Sequence, residues 1–502
     1  MVRMRTTFAT LALLLFAAPL RAATQCAESV DLTKLQTFSS KPRMFILSDI
    51  LNEPDDSMSL VRYLLYANEF NTRGLCAVTS TWLRNSTHPE EMRKIVTAYG
   101  MVVDQLNCHV HPEFSYQPAE HFLSFIMSGP PVFGKKALDI SLSEGSQRLI
   151  AAPEESNEPL HVAVWGGVNT LAQALQHMSR TMSASQSAKQ RAKLRVYTIS
   201  DQDNTGPWIR AHWPDIFYIV SIHGWNNYDQ ATWPGIDSGN GPDPTKTLNP
   251  WLNANIRLGP LGAVYPQVEF GMEGDTPSWL WLVQNGLGYS DHIEWGSWGG
   301  RYSRATDLVD WVSPEVDGNL WSDITEQAIG ADDILHSENK ASIWRWRDAM
   351  QDDFAERIQW TLTNKFSAVA HPPILVINGH SGPDPVFMKA TENGTFVLDA
   401  SDTIDVDRPQ NDSQLDYAWL LYIDVTTSAP LPYPGEIKRV ALTRPSAVRL
   451  EGCECNSLQA VDGSPVILCT DSNLCGVEAG SLNLMIFRKV LLKFQRSRQG
   501  LG

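Results

Sequence analysis

The sequence predicts an α/β fold: a mainly parallel open sheet with helices on both faces, followed by a small β-sandwich domain. Three observations carry this. Short apolar runs alternate with segments of helical periodicity through the first 370 or so residues. Acidic or glycine-rich loops recur at the ends of those runs, where open α/β sheets bind ligands. Beyond His371-Pro372-Pro373 the pattern changes to short β-like segments separated by turn residues.

The first unit is the most informative. Met44-Phe45-Ile46-Leu47 reads as a buried strand, and Met58, Leu60, Val61, Leu64, Leu65 and Ala67 recur at helical spacing. Between them stand Asp49, Glu53, Asp55 and Asp56. Like charges this close repel unless a cation or protons compensate them. Carboxylate oxygens suit a hard cation such as calcium or magnesium. The helix dipole favours acids in a first turn, which accounts for one or two of the four. A metal or sugar-hydroxyl site accounts for all of them.

Further strands are expected at Gly74–Thr79, His161–Trp165, Leu194–Ile199 and Phe217–Ser221, with helices at Pro89–Val103, from Asn169 onward, and at Trp208–Trp213. Strand, helix, strand is the βαβ unit of a parallel sheet. The stretch His109–Glu144 reads as irregular. Gly166-Gly167 ends the third strand, and a second acidic loop, Ser200-Asp201-Gln202-Asp203, ends the fourth. Two acidic strand ends point to one shared crevice, although a lone acidic loop is usually a solvated turn. From Ile222 to Tyr302 tryptophans and glycines are dense. Indole faces stack on sugar rings, and they serve aromatic cores equally well. Ser337–Lys365 reads as one long helix closing this domain.

The pattern Ser48-Asp49-x-x-x-Glu53-Pro54-Asp55-Asp56 resembles the aspartate cluster of nucleoside hydrolases. It resembles more closely a secreted nucleoside-hydrolase-like family described as cellulose-binding proteins, followed there by an immunoglobulin-like β module. The resemblance runs from about Arg43 to the 380s. It implies a calcium ion held by Asp49, Asp56, Asp275 and the main-chain carbonyl of Asn169. It also implies Asp49 as the catalytic base and Asp55 on a sugar hydroxyl. Asp201, Asp203 and Glu273 are assigned to substrate. Gly274 stands where many nucleosidases have the histidine that helps the leaving base depart. This departure puts nucleoside cleavage in question; His223 and His292 are alternative acids.

The resulting expectation is a calcium-dependent hydrolase of an N- or O-glycosidic bond, acting on a carbohydrate or nucleoside-like small molecule. The alternative is a non-catalytic protein that binds cellulose or another carbohydrate on the same fold. A purely structural role leaves the repeated acid clusters without a reason.

Residues 1–23 read as a secretory signal: Arg3 and Arg5, a short apolar run, then small residues. That run is too short to span a bilayer. The domains expected are then 24–370, α/β, and 371–495, immunoglobulin-like. Asn85, Asn393 and Asn411 head glycosylation triplets. Removing Arg3, Arg5 and Arg21 from the 40 basic residues leaves 37 against 56 acidic ones, net −19. Such a balance argues against nucleic acid as a partner. Of seven cysteines, Cys76 with Cys108 and two pairs among Cys453, Cys455, Cys469 and Cys475 are candidate bridges for an extracellular protein. Cys76 equally reads as a small buried residue.

Overall fold

The computed structural model describes residues 26–222, 228–305, 318–387 and 395–408, with short stretches up to residue 468. The signal segment, His223, Trp225, Asn393, Asn411 and the last four cysteines lie outside the described residues. Of the short β-like segments expected beyond the linker, Arg439–Leu442 and most of Tyr417–Tyr422 lie outside the described residues too.

An eight-stranded sheet organises the α/β domain. Its strands are β1 Arg43–Ser48, β2 Asn71–Ala77, β3 Ile126–Ser128, β4 Leu160–Val164, β5 Leu194–Ser200, β6 Phe217–Ser221, β7 Tyr302–Arg304 and β8 Leu320–Asp323. The spatial order is β3-β2-β1-β4-β5-β6-β8-β7. All neighbours run parallel except β7 with β8. Chain order reverses between β1 and β4, which makes their C-terminal ends the switch point at which such sheets open a crevice.

Both faces of the sheet are covered, so its central strands are apolar throughout rather than alternating. Every residue of β1 and of β4 is buried. Met44 and Ile46 pack in the core beneath the helix Asp55–Tyr66, with Met58, Val61 and Leu65. Phe45 and Leu47 face the other layer, with Val162, Val164, Leu171 and Leu175 around the helix Asn169–Thr181. A period of two inside one apolar run thus feeds two cores.

The expected strands and the helices at 55–66, 89–99, 169–181 and 205–212 are present. Two readings need correction. The stretch 337–365 is not one helix. Leu335–Glu338 is a strand paired antiparallel with Glu326–Ile329. Two helices follow, Ala341–Trp344 and Arg347–Trp360. Glu338 is drawn into the hairpin and accepts from the Asn240 backbone and side chain, 2.8 Å each, a tertiary pull that helical spacing does not register. The second correction concerns Cys108, which is bonded to Cys26 rather than Cys76. Cys76 is a free thiol in the interior of β2, packed in the core of the second layer. The expected irregular stretch also holds a short helix, Ala119–Leu123, and β3, an edge strand of only three residues. Beyond the linker, β-structure occurs in Val376–Ile377, His380–Ser381 and Thr395–Asp399. Thr395–Asp399 pairs antiparallel with Ala447–Glu451.

Gly74 in β2 lies under the Phe45 ring, where a Cβ would stand 2.3 Å from a ring carbon. Gly74→Ala is therefore expected to destabilise the protein by about 1–3 kcal/mol through overpacking, read as a lowered urea midpoint at unchanged m-value.

A candidate metal and sugar site at the sheet switch point

Strand ends β1, β2, β4 and β5 are stitched together at the crevice. Val78 N–H donates to Ser48 O (2.8 Å), Trp165 N–H to Leu47 O (2.8 Å), Gly167 N–H to Thr79 O (2.9 Å) and Thr81 N–H to Gln202 O (2.7 Å). Asp49 leaves β1 into this floor, buried, with Gly166 pressed against it. A Cβ on Gly166 would sit 2.6 Å from Asp49 Oδ1, so only glycine lets the two strand ends close. The glycine pair thus accommodates the acid itself.

Asp55 and Asp56 open the helix Asp55–Tyr66, where the dipole favours them. Ser48 Oγ donates to Asp56 Oδ1 at 2.6 Å, and the Asp56 N–H donates to Asp55 Oδ1 at 3.1 Å. Asp275 arrives from much later in the chain, ahead of the short helix Pro277–Leu280. Carboxylate oxygens of Asp55, Asp56 and Asp275 lie within 4.8 Å of one another. Asp275 is 2% exposed, and its Oδ2 has no hydrogen-bond partner. Asp49 and Glu53 flank this trio within electrostatic reach.

Burial, then mutual repulsion, raises every carboxyl of the group. Asp49 is pushed up to about 7, by burial and then Glu53, against a hydrogen bond from Ser80. Asp55 is pushed up to about 8, by burial and then Glu53 and Asp49. Asp56 and Asp275 stand well above the usual carboxylate range, by burial and then by their neighbouring aspartates. Among the described residues no lysine or arginine pairs with any of the four aspartates. The donor set is all-oxygen, acidic, convergent and without a cationic partner among the described residues, and one oxygen is orphaned. It fits a hard divalent cation.

The other expected residues have different surroundings. Asp203 is buried and accepts from the Thr205 N–H (2.7 Å) and the Asn169 N–H (3.2 Å), so it ties the starts of two helices together. Asn169 is buried at the first turn of its helix, its side-chain amide given to Thr79 Oγ1 (2.9 Å) and Val132 O (2.8 Å). Asp201 is engaged by Arg210 through two bonds of 2.8 and 2.7 Å. Glu273 is fully buried, at φ 56°, and its carboxylate meets Arg62 at 2.5 Å, Tyr265 Oη at 2.6 Å and Thr276 Oγ1 at 2.9 Å. The structure thus brings Asp49, Asp55, Asp56 and Asp275 together and turns Asp201 and Glu273 toward arginines. His292 bonds Glu294 at 2.6 Å and stacks on Trp295. Trp279 and Trp281 are core residues.

Residues 43–302 match the family described as cellulose-binding Sde182, nucleoside hydrolase-like domain. The chain belongs to this family. A nucleoside hydrolase-related hypothetical protein from Saccharophagus degradans, described as associated with carbohydrate metabolism, is similar in structure. It is 26% identical, the match covers 86% of this chain and 98% of that one, and the TM-score is 0.63. The effector protein XOO4466 is 11% identical over 45% of this chain and 64% of its own, with a TM-score of 0.27, too low to bear on the argument. No curated protein matches.

In this Sde182-family chain several site residues carried no obvious sequence signal. Ser80 holds Asp49, as Ser48 of the motif holds Asp56. Trp233 fills the space over Gly274: a Cβ there would meet the indole at 2.7 Å and Asp55 Oδ2 at 3.1 Å. Tyr228 packs edge-on against Trp233 and bonds Trp82. Arg62 is fully buried in its helix, and a charge set among the apolar Leu60, Val61, Leu64 and Leu65 was the signal, because a buried arginine needs an acid.

The Arg62–Glu273 pair braces the turn that carries Asp275. Arg62→Met is expected to cost about 3–5 kcal/mol by stranding a buried carboxylate, and Glu273→Gln less, both read by urea denaturation. The acid group also sets a pH dependence. Asp49 and Asp55 keep protons to about 7 and about 8 that the unfolded chain releases near ~4. The metal-free protein therefore loses stability as pH rises from ~4 to about 8. Thermal unfolding in chelator is expected to show that slope, and saturating calcium to flatten it.

Proposed function

We propose that the chain is a secreted, calcium-dependent hydrolase of an N- or O-glycosidic bond in a carbohydrate or nucleoside-like substrate. The observation that carries this is the convergence of three carboxylates within 4.8 Å, with Asp275 Oδ2 orphaned. Asp56, Asp275 and Asp49, with the Asn169 carbonyl, are the residues that would hold the ion. When bound, calcium would neutralise the aspartates, take vicinal sugar hydroxyls and acidify water. The chain's own groups do the rest. Asp49, at the end of β1 and held by Ser80, takes a proton from the attacking water. Asp55, the least buried of the four aspartates, holds a sugar hydroxyl. The sugar passes through an oxocarbenium-like state as the leaving group departs. Export is supported by the leader pattern and by the Cys26–Cys108 disulfide. Among the described residues no helix is long and apolar enough to cross a membrane.

A second reading rests on one specific observation. Gly274 offers no leaving-group acid, and Trp233 and Asp55 leave no room for a side chain there. A site built that way serves a non-catalytic carbohydrate-binding protein, in keeping with the family's description.

Elemental analysis of the purified protein is expected to find about one calcium per chain, lost in an Asp55→Ala/Asp56→Ala double variant. With calcium present, Asp49→Asn is expected to lower turnover on nitrophenyl glycosides or nucleosides by about 10²-fold or more. Full activity in that variant removes the assigned role. Cellulose pull-down that survives Asp49→Asn, with no hydrolysis by the wild type, selects the binding reading.

A further inference from the structure

At the other end of the sheet from the crevice, where Asn68 and Glu69 lead into β2, lies a cavity of about 190 Å³, partly open to solvent. Three parts of the chain wall it. The segment ahead of β1 supplies Leu35 and Phe38, the helix Arg347–Trp360 supplies Asp353 and Glu356, and the linker supplies His371.

The polar groups around Glu356 are already engaged. Arg357 is the one lysine or arginine among the described lining residues. It gives Nη2 to Glu69 at 2.7 Å, Nε to Asp353 at 3.0 Å and Nη1 to Leu65 O at 2.9 Å. Asp352 takes Lys246 at 2.7 Å, and the Trp360 indole N–H donates to Ala370 O at 2.9 Å. His109 Nε2 meets Thr363 O and His109 Nδ1 meets His371 Nε2, both at 2.9 Å. His371 Nδ1 meets Asp407 Oδ1 at 2.8 Å, and the His371 backbone N–H donates to Asp407 Oδ2 at 2.9 Å. This joint closes one side of the cavity with no ring nitrogen left over.

Glu356 is the exception. It lines the cavity, yet its carboxyl has no hydrogen bond or ion pair among the described residues. Helical spacing sets it one turn from Asp352 and Asp353. Burial, then Asp353, Asp352 and Asp407, raise it to about 8, against the pull of Arg357. An acid on an exposed helix face is solvated and needs no partner. This one is turned into a cavity, in the field of three other acids, with no donor facing it, and a cation from outside relieves that arrangement.

We propose that this cavity binds a small organic cation, Glu356 taking its ammonium or amidinium head and the apolar wall its body. That wall is Leu35, Phe38, Val283 and Trp298. Its aromatic rim already holds one cation: Lys41 Nζ stands 4.9 Å from the centroid of Phe114, against which Phe38 packs edge-on at 5.0 Å. An anion would meet Glu69, Asp353 and Glu356 together. A bare metal ion is better served at the crevice, where three carboxylates converge within 4.8 Å. Here one carboxyl faces an apolar wall, which selects a charged head on a hydrophobic body.

The test titrates the full chain, with calcium present, with benzamidinium and with benzamide, its neutral isostere, followed by ligand-observed NMR. Benzamidinium is expected to bind with a Kd on the order of 1 mM. Benzamide, and benzamidinium on Glu356→Gln, are expected to bind at least about tenfold more weakly, since a charge-assisted bond is lost in each. Glutamine copies the protonated carboxyl that the empty cavity favours below about pH 8, so the variant's Tm at neutral pH is expected to be no lower than that of the wild type. The Asp55→Ala/Asp56→Ala variant is expected to bind benzamidinium unchanged, which separates this site from the crevice and from its calcium. Equal affinity for benzamide overturns the proposal, and that arm needs no variant. So does an absence of binding to the wild type, or binding that survives Glu356→Gln and is lost in the aspartate variant.

Discussion

Four aspartates, Asp49, Asp55, Asp56 and Asp275, share a buried crevice that gives them no cationic partner among the described residues. Carboxylate oxygens of Asp55, Asp56 and Asp275 lie within 4.8 Å of one another, and each ionised pair among them repels by on the order of 3 kcal/mol at an effective dielectric of about 20. Elsewhere the chain neutralises such groups. Glu273 has Arg62, Glu326 has Arg301 and Arg345, Asp201 has Arg210, and Glu69 has Arg357. Against that habit, an uncompensated group is an arrangement the fold maintains at a cost. The maintenance is visible: the β1/β4 switch point, glycine at 166 and a buried arginine pinning the turn before Asp275.

How much of this the sequence disclosed follows from the range of the forces involved. The strand–acid–helix unit at Met44–Ala67 was legible because its strand, loop and helix are contiguous and each obeys a local rule. A shared crevice was legible for the same reason, through the acidic and glycine-rich strand ends and the helix beginning at Asn169, whereas the strand order that makes it a switch point is set by pairing between distant segments. Asp275 came from resemblance, since nothing local joins it to residues two hundred positions earlier. Asp201 and Glu273 illustrate the limit. An acid near a strand end looks the same in sequence whether it faces a crevice or an arginine, and the choice is made by Arg210 and Arg62. The 337–365 stretch misled because helical spacing of Ile343, Trp346 and Met350 is real, while the strand at 335–338 is imposed by its partner at 326–329. Cys108 found Cys26 rather than Cys76 because β2 buries Cys76 in the core of the second layer.

Gly274 is where the two functional readings separate. A nucleosidase-like site needs a proton donor over the leaving group, and here a tryptophan occupies the space beside Asp55. An aromatic wall of Trp233 and Tyr228 suits the face of a sugar ring better than it suits proton transfer. The two requirements are compatible in a hydrolase whose leaving group departs without much help from an acid. They are incompatible with efficient cleavage of a glycoside whose leaving group is a poor one. The chemistry of the leaving group, more than the identity of the sugar, therefore separates an enzyme from a binding protein on this fold.

The crevice and the His109–His371–Asp407 joint lie at opposite ends of one parallel sheet, and they solve the same electrostatic problem differently. At the crevice, oxygens converge with none of their charge matched by protein, which leaves a place for something from outside. At the joint, Asp407 accepts from the His371 backbone N–H and meets the His371 ring, which stacks on Phe366, with the Cys26–Cys108 disulfide beside His109. Burial raises the energetic stake of both. It turns an unmatched carboxylate group into a ligand-seeking site and a matched one into a fastening. The difference rests on whether the fold delivers a hydrogen-bond donor to each oxygen, as it does for Asp407 and does not for Asp275 Oδ2.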